Sequence, residues 1–251
     1  MTRIYRRRIQ IAPVGFEVDR VVLPAIREKA EKVYLMVHKN RSEDKATKYA
    51  ATIQKKLKAV NIETELVYCD WQNIEEITRV ARDLILQESE NEIAINLASG
   101  SKNHAIGLDR ACMTFRKRKH IHPFYPEAEK WTAWRYPKQQ STGVKKIKQI
   151  PIHRIIVPDP ELVIALKAIK QDAVDIPMHK GRKGVKKKDL ANSLFGNSSK
   201  VSLTKLQRNI TQKLEKTWRA VEIIQVGQSD WISLTNEGKY LRYILKNEET
   251  Y

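Results

Sequence analysis

A doubly wound, Rossmann-like α/β domain followed by a winged helix-turn-helix domain is the fold class predicted by three observations. Strand-like and helix-like segments alternate regularly through the first half of the chain. The connections between them are short, which favours parallel strands joined by crossover helices that cover both faces of the sheet. After Val157-Pro158-Asp159-Pro160 the order changes to helix, short helix, turn, long helix, hairpin and helix. Proline withdraws a backbone donor and biases its predecessor away from helix, so this break reads as a linker. The expected domains are residues 1–157 and 161–251.

Arg8 to Val14 reads as the first strand and Val18 to Ala30 as the first helix. Lys32 to His38, with its centre Val33-Tyr34-Leu35-Met36-Val37, is the second strand. Asp44 to Val60 is a helix because Ala46, Ala50, Ile53 and Leu57 recur at helical spacing. Thr64 to Cys69 is the third strand, with Asp70 at its end, and Ile74, Ile77, Val80, Ala81, Leu84 and Ile85 mark the third helix. Glu92 to Leu97 and Asn103 to Lys117 supply a fourth strand and helix, and pieces near Ile121 to Tyr125 and Gln149 to Val157 are expected to complete a parallel sheet.

In the second domain Glu161 to Ile169 is helical and Pro177 to Lys188 reads as a Gly/Lys-rich loop. Asp189 to Phe195 is a short helix, followed by the turn Gly196-Asn197-Ser198-Ser199. Ser202 is the expected N-cap of a longer helix with Leu203, Leu206, Ile210 and Leu214 on its apolar stripe. Val221 to Val226 and Trp231 to Leu234 flank Gly227-Gln228-Ser229-Asp230 as a hairpin, and Thr235 opens a final helix through Leu245.

Composition narrows the partners. The 251 residues carry 47 Lys+Arg against 29 Asp+Glu, a net charge of +18 spread over both halves. That surplus favours a polyanion such as nucleic acid. No apolar run approaches the ~18 residues that span a bilayer, so no membrane partner is expected. The basic N-terminus leads into Ile9-Gln10-Ile11 rather than a signal-peptide core, and the two cysteines, Cys69 and Cys112, cannot build a disulfide framework. The expected location is the cytoplasm.

Two loops carry the candidate chemistry of the first domain. Pro13-Val14-Gly15-Phe16-Glu17 follows strand one, and Ala98-Ser99-Gly100-Ser101-Lys102-Asn103-His104 follows strand four and opens a helix. In a doubly wound sheet these strands are neighbours at the switch point, where ligands bind. Glycines let backbone N–H groups approach a ligand, and Lys102 adds positive charge, which suits a phosphate-bearing molecule. The alternative is that Gly15 and Gly100 only permit tight turns. Neither loop matches a dinucleotide or triphosphate fingerprint. His104 is a candidate hydrogen-bond donor to the ligand or, by default, a helix cap.

Ala12-Pro13-Val14-Gly15-Phe16-Glu17, Asp19-Arg20-Val21-Val22 and Ile95-Asn96-Leu97-Ala98-Ser99-Gly100-Ser101-Lys102 carry a family resemblance. Together with the expected winged helix they resemble the archaeal CRISPR-associated Rossmann fold (CARF) regulators, whose strand-four loop reads Asn-x-Thr-Gly-Gly-Thr-Lys. Ser99 and Ser101 stand where that loop has glycine and threonine. The resemblance implies a homodimer sensing a cyclic oligonucleotide, usually cyclic oligoadenylate, with Gly100, Ser101 and Lys102 at the ligand. Gly15, Phe16, Ser99 and His104 complete the expected set, with no cofactor, metal or catalytic residue.

On the expected recognition helix Lys205, Gln207, Arg208, Asn209, Gln212 and Lys213 are of types that reach base edges and phosphates in a major groove. Gln228 and Ser229 at the hairpin tip, and Lys186 and Lys187 in the lysine cluster, are candidates for further DNA contacts. Trp131 and Trp134, beside Arg135 and Tyr136, could stack on bases, with packing in a lid or dimer surface as the alternative. The spacing from Arg116 to His122 reads as chance. The expected function is a ligand-responsive, DNA-binding transcription regulator. A metal-independent ring nuclease and a ligand-independent DNA binder are the alternatives.

Overall fold

Alternation along the second strand decides the architecture of the first half. In β2 (Lys32–His38) every residue is buried, Val33, Leu35 and Val37 facing one apolar cluster and Tyr34 and Met36 another. A strand buried on both faces needs helices on both sides. The computed structural model describes residues 5–40, 42, 44–115, 120–132, 138–151 and 158–245. It divides into two compact units, Met1–Ile155 and Ile156–Tyr251.

The first unit runs β1 (Arg8–Pro13), α1 (Asp19–Arg27), β2, α2 (Thr47–Lys58), β3 (Glu63–Cys69), α3 (Ile74–Gln87), β4 (Glu92–Asn96), α4 (Lys102–Met113), β5 (Ile121–Trp131) and β6 (Ser141–Gln149). The sheet order is β3-β2-β1-β4-β5-β6, so the winding reverses between β1 and β4. Helices α1 and α2 cover one face through Val21, Val22, Ile53 and Leu57, and α3 and α4 cover the other through Ile77, Ile85 and Leu108. β1 to β5 are parallel.

The expectation of a wholly parallel sheet is corrected at its edge. β6 pairs with β5 antiparallel, with a register shift at Glu127/Ala128. The strand lies at Ser141–Gln149 rather than from Gln149 onward, and residues 152–157 fall outside the described ones. Its two fully buried side chains, Ser141 and Val144, sit among Lys145, Lys146 and Lys148, so alternation is hard to read. A lysine-rich outermost strand is also how sheets discourage edge-to-edge pairing.

Helix α1 contains Pro24, which cannot donate to the carbonyl of Arg20 four residues earlier. Asn96 Nδ2 of β4 donates to that carbonyl instead, at 2.8 Å, while Asn96 Oδ1 accepts from the Ala98 N–H at 2.9 Å. A single buried amide thus repairs the proline defect and braces the loop that follows β4. Nearby, Arg20 Nη1 donates to both carboxylate oxygens of Glu17 at 3.1 and 3.0 Å, and Arg20 Nε donates to the Pro126 carbonyl at 2.8 Å. Ser141 Oγ donates to Glu17 from β6, and the guanidinium lies over the rings of Tyr125 and Trp131.

The second unit runs α5 (Pro160–Gln171), β7 (Val174–Asp175), β8 (Lys183–Lys186), α6 (Lys187–Phe195) and α7 (Lys200–Lys205). A π-helical segment, Leu206–Thr211, leads into α8 (Gln212–Lys216), then β9 (Val221–Val226), β10 (Ser229–Leu234) and α9 (Asn236–Ile244). The strands order β7-β8-β10-β9. Leu162, Leu166, Val185, Leu206, Ile210 and Ile232 are among the residues of its core.

Three expectations change here. Lys183–Lys186 is a strand rather than loop, because Val185 is buried opposite Ile232 despite the lysines around it. The long helix is capped by Ser199, whose side chain accepts from the Ser202 N–H, rather than by Ser202 itself. The hairpin turn is only Gly227-Gln228, and Ser229 already begins β10. Among the described residues no helix is long and apolar enough to cross a membrane.

Candidate functional site

Parallel strands end together, so their C-terminal loops share one edge of the sheet. At that edge the loops after β1 and β4 interlock. A Cβ on Gly15 would lie 2.7 Å from the Gly100 nitrogen, and one on Gly100 would lie 2.7 Å from Pro13 Cβ. Gly100 also has φ +80°, where side chains other than glycine's are strained. These glycines are therefore required where the two loops pack against each other, and Gly100 also for its turn.

Beside them opens a cavity of about 570 Å3, within the roughly 300–1,000 Å3 range of small-molecule sites. Gly15, Phe16, Gly100, Ser101, Lys102 and His104 all line it. Ser99 does not: it is buried, and its hydroxyl finds no hydrogen-bond partner among the described residues. Other elements add residues that sequence reasoning did not select. His38 comes from the end of β2, Asp44 and Lys45 from the turn before α2, Trp71 from the loop after β3, and Gln140 from the loop before β6.

Lys45 and Lys102 are exposed and make no hydrogen bond or ion pair with any described residue. Glu17 also lines the cavity, but its charge is offset by Arg20. The wall therefore offers two unpartnered cations against the Asp44 carboxylate.

The starts of α1 and α4, into which these two loops lead, are already capped. Gln139 Oε1 accepts from the Val18 and Asp19 N–H groups at 3.1 and 3.2 Å, closing the start of α1. Ser101 accepts from the His104 N–H, and His104 Nδ1 accepts from the Ser101 N–H at 3.1 Å, a reciprocal capping box on α4. The pyrophosphate seat of a dinucleotide fold is thus partly occupied by side chains, in keeping with the missing glycine fingerprint.

His104 is therefore committed to the cap. Because Nδ1 is an acceptor, the proton sits on Nε2, which lies 4.0 Å from Cys69 Sγ. Burial, with a smaller effect from His38, lowers its pKa to about 4. Burial likewise pushes the Cys69 thiol up to about 12, so neither group is poised for acid, base or nucleophilic chemistry at neutral pH. Cys69 and Cys112 are both buried.

In the second unit Lys205, Arg208, Asn209, Gln212 and Lys213 are exposed, and Gln207 is half-buried. The π turn lets Thr211 Oγ1 reach the carbonyls of Leu206 and Gln207 while Leu206 and Ile210 stay in the core. Gln228 is exposed at the turn. Lys186 and Lys187 are not on a flexible loop. Lys186 Nζ lies 5.4 Å from the Trp231 ring centroid, and Lys187 Nζ pairs with Asp230 at 3.4 Å. Trp131 is exposed over Arg20, whereas Trp134, Arg135, Tyr136 and Arg116 lie outside the described residues. His122 pairs with Glu92.

Residues 8–131 match the family model described as "HFX_2341_N:-like, N-terminal". The uncharacterized protein MJ1513 of Methanocaldococcus jannaschii is 28% identical over 188 residues, covering 65% of this chain and 56% of that protein. The chain thus spans little more than half the length of that relative. Among solved structures, Can2 from Sulfobacillus thermosulfidooxidans in complex with cyclic tetra-adenylate superposes with TM-score 0.41 at 12% identity, over 92% of this chain and 77% of that one. Enterococcus italicus Csm6 bound to cyclic hexa-2'-fluoro-hexa-dAMP superposes with TM-score 0.39 at 12% identity, over 52% of this chain and 36% of that one.

Proposed function

We propose that the protein is a ligand-responsive transcription regulator: its first unit binds an anionic cyclic oligonucleotide, and its second unit is a winged helix-turn-helix that binds double-stranded DNA. The observation that carries the first part is the cavity beside the interlocked glycine loops, with Lys45 and Lys102 unpartnered at its wall. Unpaired cations at a cavity wall suit phosphate groups. The resemblance of the loop from Asn96 to Lys102 to the CARF loop favours cyclic oligoadenylate as the effector. A cavity of about 570 Å3 accommodates part of such a ring rather than all of it, which favours a twofold homodimer sharing one ligand. The site residues in this reading are Gly15, Phe16, Gly100, Ser101 and Lys102. His104 holds the loop's shape.

Calorimetric titration with a panel of cyclic oligoadenylates tests the first part. Lys102→Ala is expected to weaken binding about tenfold or more without unfolding the unit, since the side chain is exposed. Release of linear product by wild type and not by Lys102→Ala would replace the sensor reading with that of a ring nuclease.

The DNA reading is supported by the net charge of +18 and by the exposed polar face on the helix after Ser199. Arg208→Ala is expected to cost roughly 1–3 kcal/mol in specific DNA binding and to relax the selected sequence. Selection on random duplexes followed by titration reads both effects, and unchanged affinity and sequence would remove this helix from recognition.

A further inference from the structure

We infer that Trp71 is the base-recognition element of the cavity, stacking on an adenine ring while the lysines hold phosphate. This rests on the nucleotide reading of the same cavity and adds to it which part of the ligand is recognised, and where.

Trp71 is 37% exposed and lines the cavity, in a unit whose other large apolar side chains are mostly in the core. It sits two residues beyond the end of β3, and its position is held from several directions. Asn103 Nδ2, in the first turn of α4, donates to the Trp71 carbonyl at 3.2 Å and approaches that of Gln72 at 3.4 Å. The Gln72 N–H donates to Asp70 Oδ1 at 2.9 Å.

The indole is backed by the His38 ring, with centroids 6.0 Å apart and planes tilted by 59°. His38 is itself buried and fixed: its Nδ1 lies 3.0 Å from the Asn40 carbonyl oxygen and 3.1 Å from the Asn40 nitrogen, and its Nε2 faces Asp70 Oδ1 at 3.8 Å. An aromatic ring immobilised before the ligand arrives loses little entropy on stacking. Stacking also accepts any base, but a purine offers the larger π-face. The cavity wall is therefore divided in kind. Lys45 and Lys102 supply charge without base preference, whereas Trp71 supplies a flat apolar surface without charge.

Titration of the full chain with cyclic tetra- and hexa-adenylate, at several salt concentrations, separates the two contributions. Trp71→Leu is expected to weaken adenylate binding about tenfold or more, the order of one lost base–aromatic stack, with the salt dependence unchanged. Trp71→Phe is expected to recover most of that loss, because it restores a π-face, whereas a role in packing alone would be met as well by leucine. Lys102→Ala should instead flatten the salt dependence. If wild type binds and Trp71→Leu binds equally well, stacking is overturned and the nucleotide reading stands. If wild type binds neither ring, both are overturned.

Discussion

Glu17→Gln is expected to destabilise the first unit by about 3–5 kcal/mol, because it leaves the Arg20 guanidinium buried without a counter-charge. Arg20 is 2% exposed and Glu17 5%, so water cannot take the carboxylate's place. Arg20 Nη2 already lacks a partner, which leaves the pair no reserve. Arg20→Met should be similarly costly, since it strands the Glu17 carboxylate with Ser141 as its remaining described partner. The double variant Glu17→Gln/Arg20→Met should recover much of either loss, as an uncharged pair of similar volume removes the desolvation cost from both sides. Urea denaturation of the four proteins measures this, and simple addition of the two single losses would contradict it. Because the pair ties α1 to β5 and β6 and Glu17 lines the cavity, the single variants should also loosen the cavity wall.

The second large effect is in pH. His104 is held neutral by burial, with a folded pKa of about 4 against an ordinary 6.5. The unfolded chain therefore binds the proton more readily, and stability falls as protons are added. The contribution is fully present above pH 6.5 and is lost as the pH drops from there to about 4, amounting to about 3 kcal/mol. Carboxylates such as Asp19 and Asp70, whose pKa values are lowered by hydrogen bonds and neighbouring lysines, lose their contribution only at more acid pH. His104→Gln is the informative variant, because glutamine at this position can still complete a capping box yet does not titrate. Between pH 6.5 and 4.5 its denaturation midpoint should fall much less than that of wild type. Equal slopes in the two proteins would show that His104 is not the group responsible.

Elements whose apolar residues follow a clean period were legible before the structure. β2 was anticipated at Lys32–His38 to the residue, and α3 by its stripe from Ile74 to Ile85. Elements hidden under lysine were not. β8 has two buried residues between lysines, and β6 carries three lysines beside Val144, so both signal through pairing partners rather than composition. β5 was expected only near Ile121 to Tyr125, since Pro126 argues against continuing a strand that nonetheless runs to Trp131. At the cavity, the glycine loops stood out because tight turns and close approaches leave a local mark. His38, Lys45, Trp71 and Gln140 carry no motif, and the sheet's parallel order brings them to one edge. Their one available clue was that β2 and β3 end on the same side as β1 and β4.

Two copies of the cavity are proposed to share one cyclic oligonucleotide, and the stoichiometry of wild-type binding decides whether they do. Calorimetric titration with cyclic tetra-adenylate, run beside light scattering on the same sample, is predicted to saturate at one ring per two chains of a dimer. Saturation at one ring per chain of a monomer, or no heat with any cyclic oligoadenylate, would contradict it.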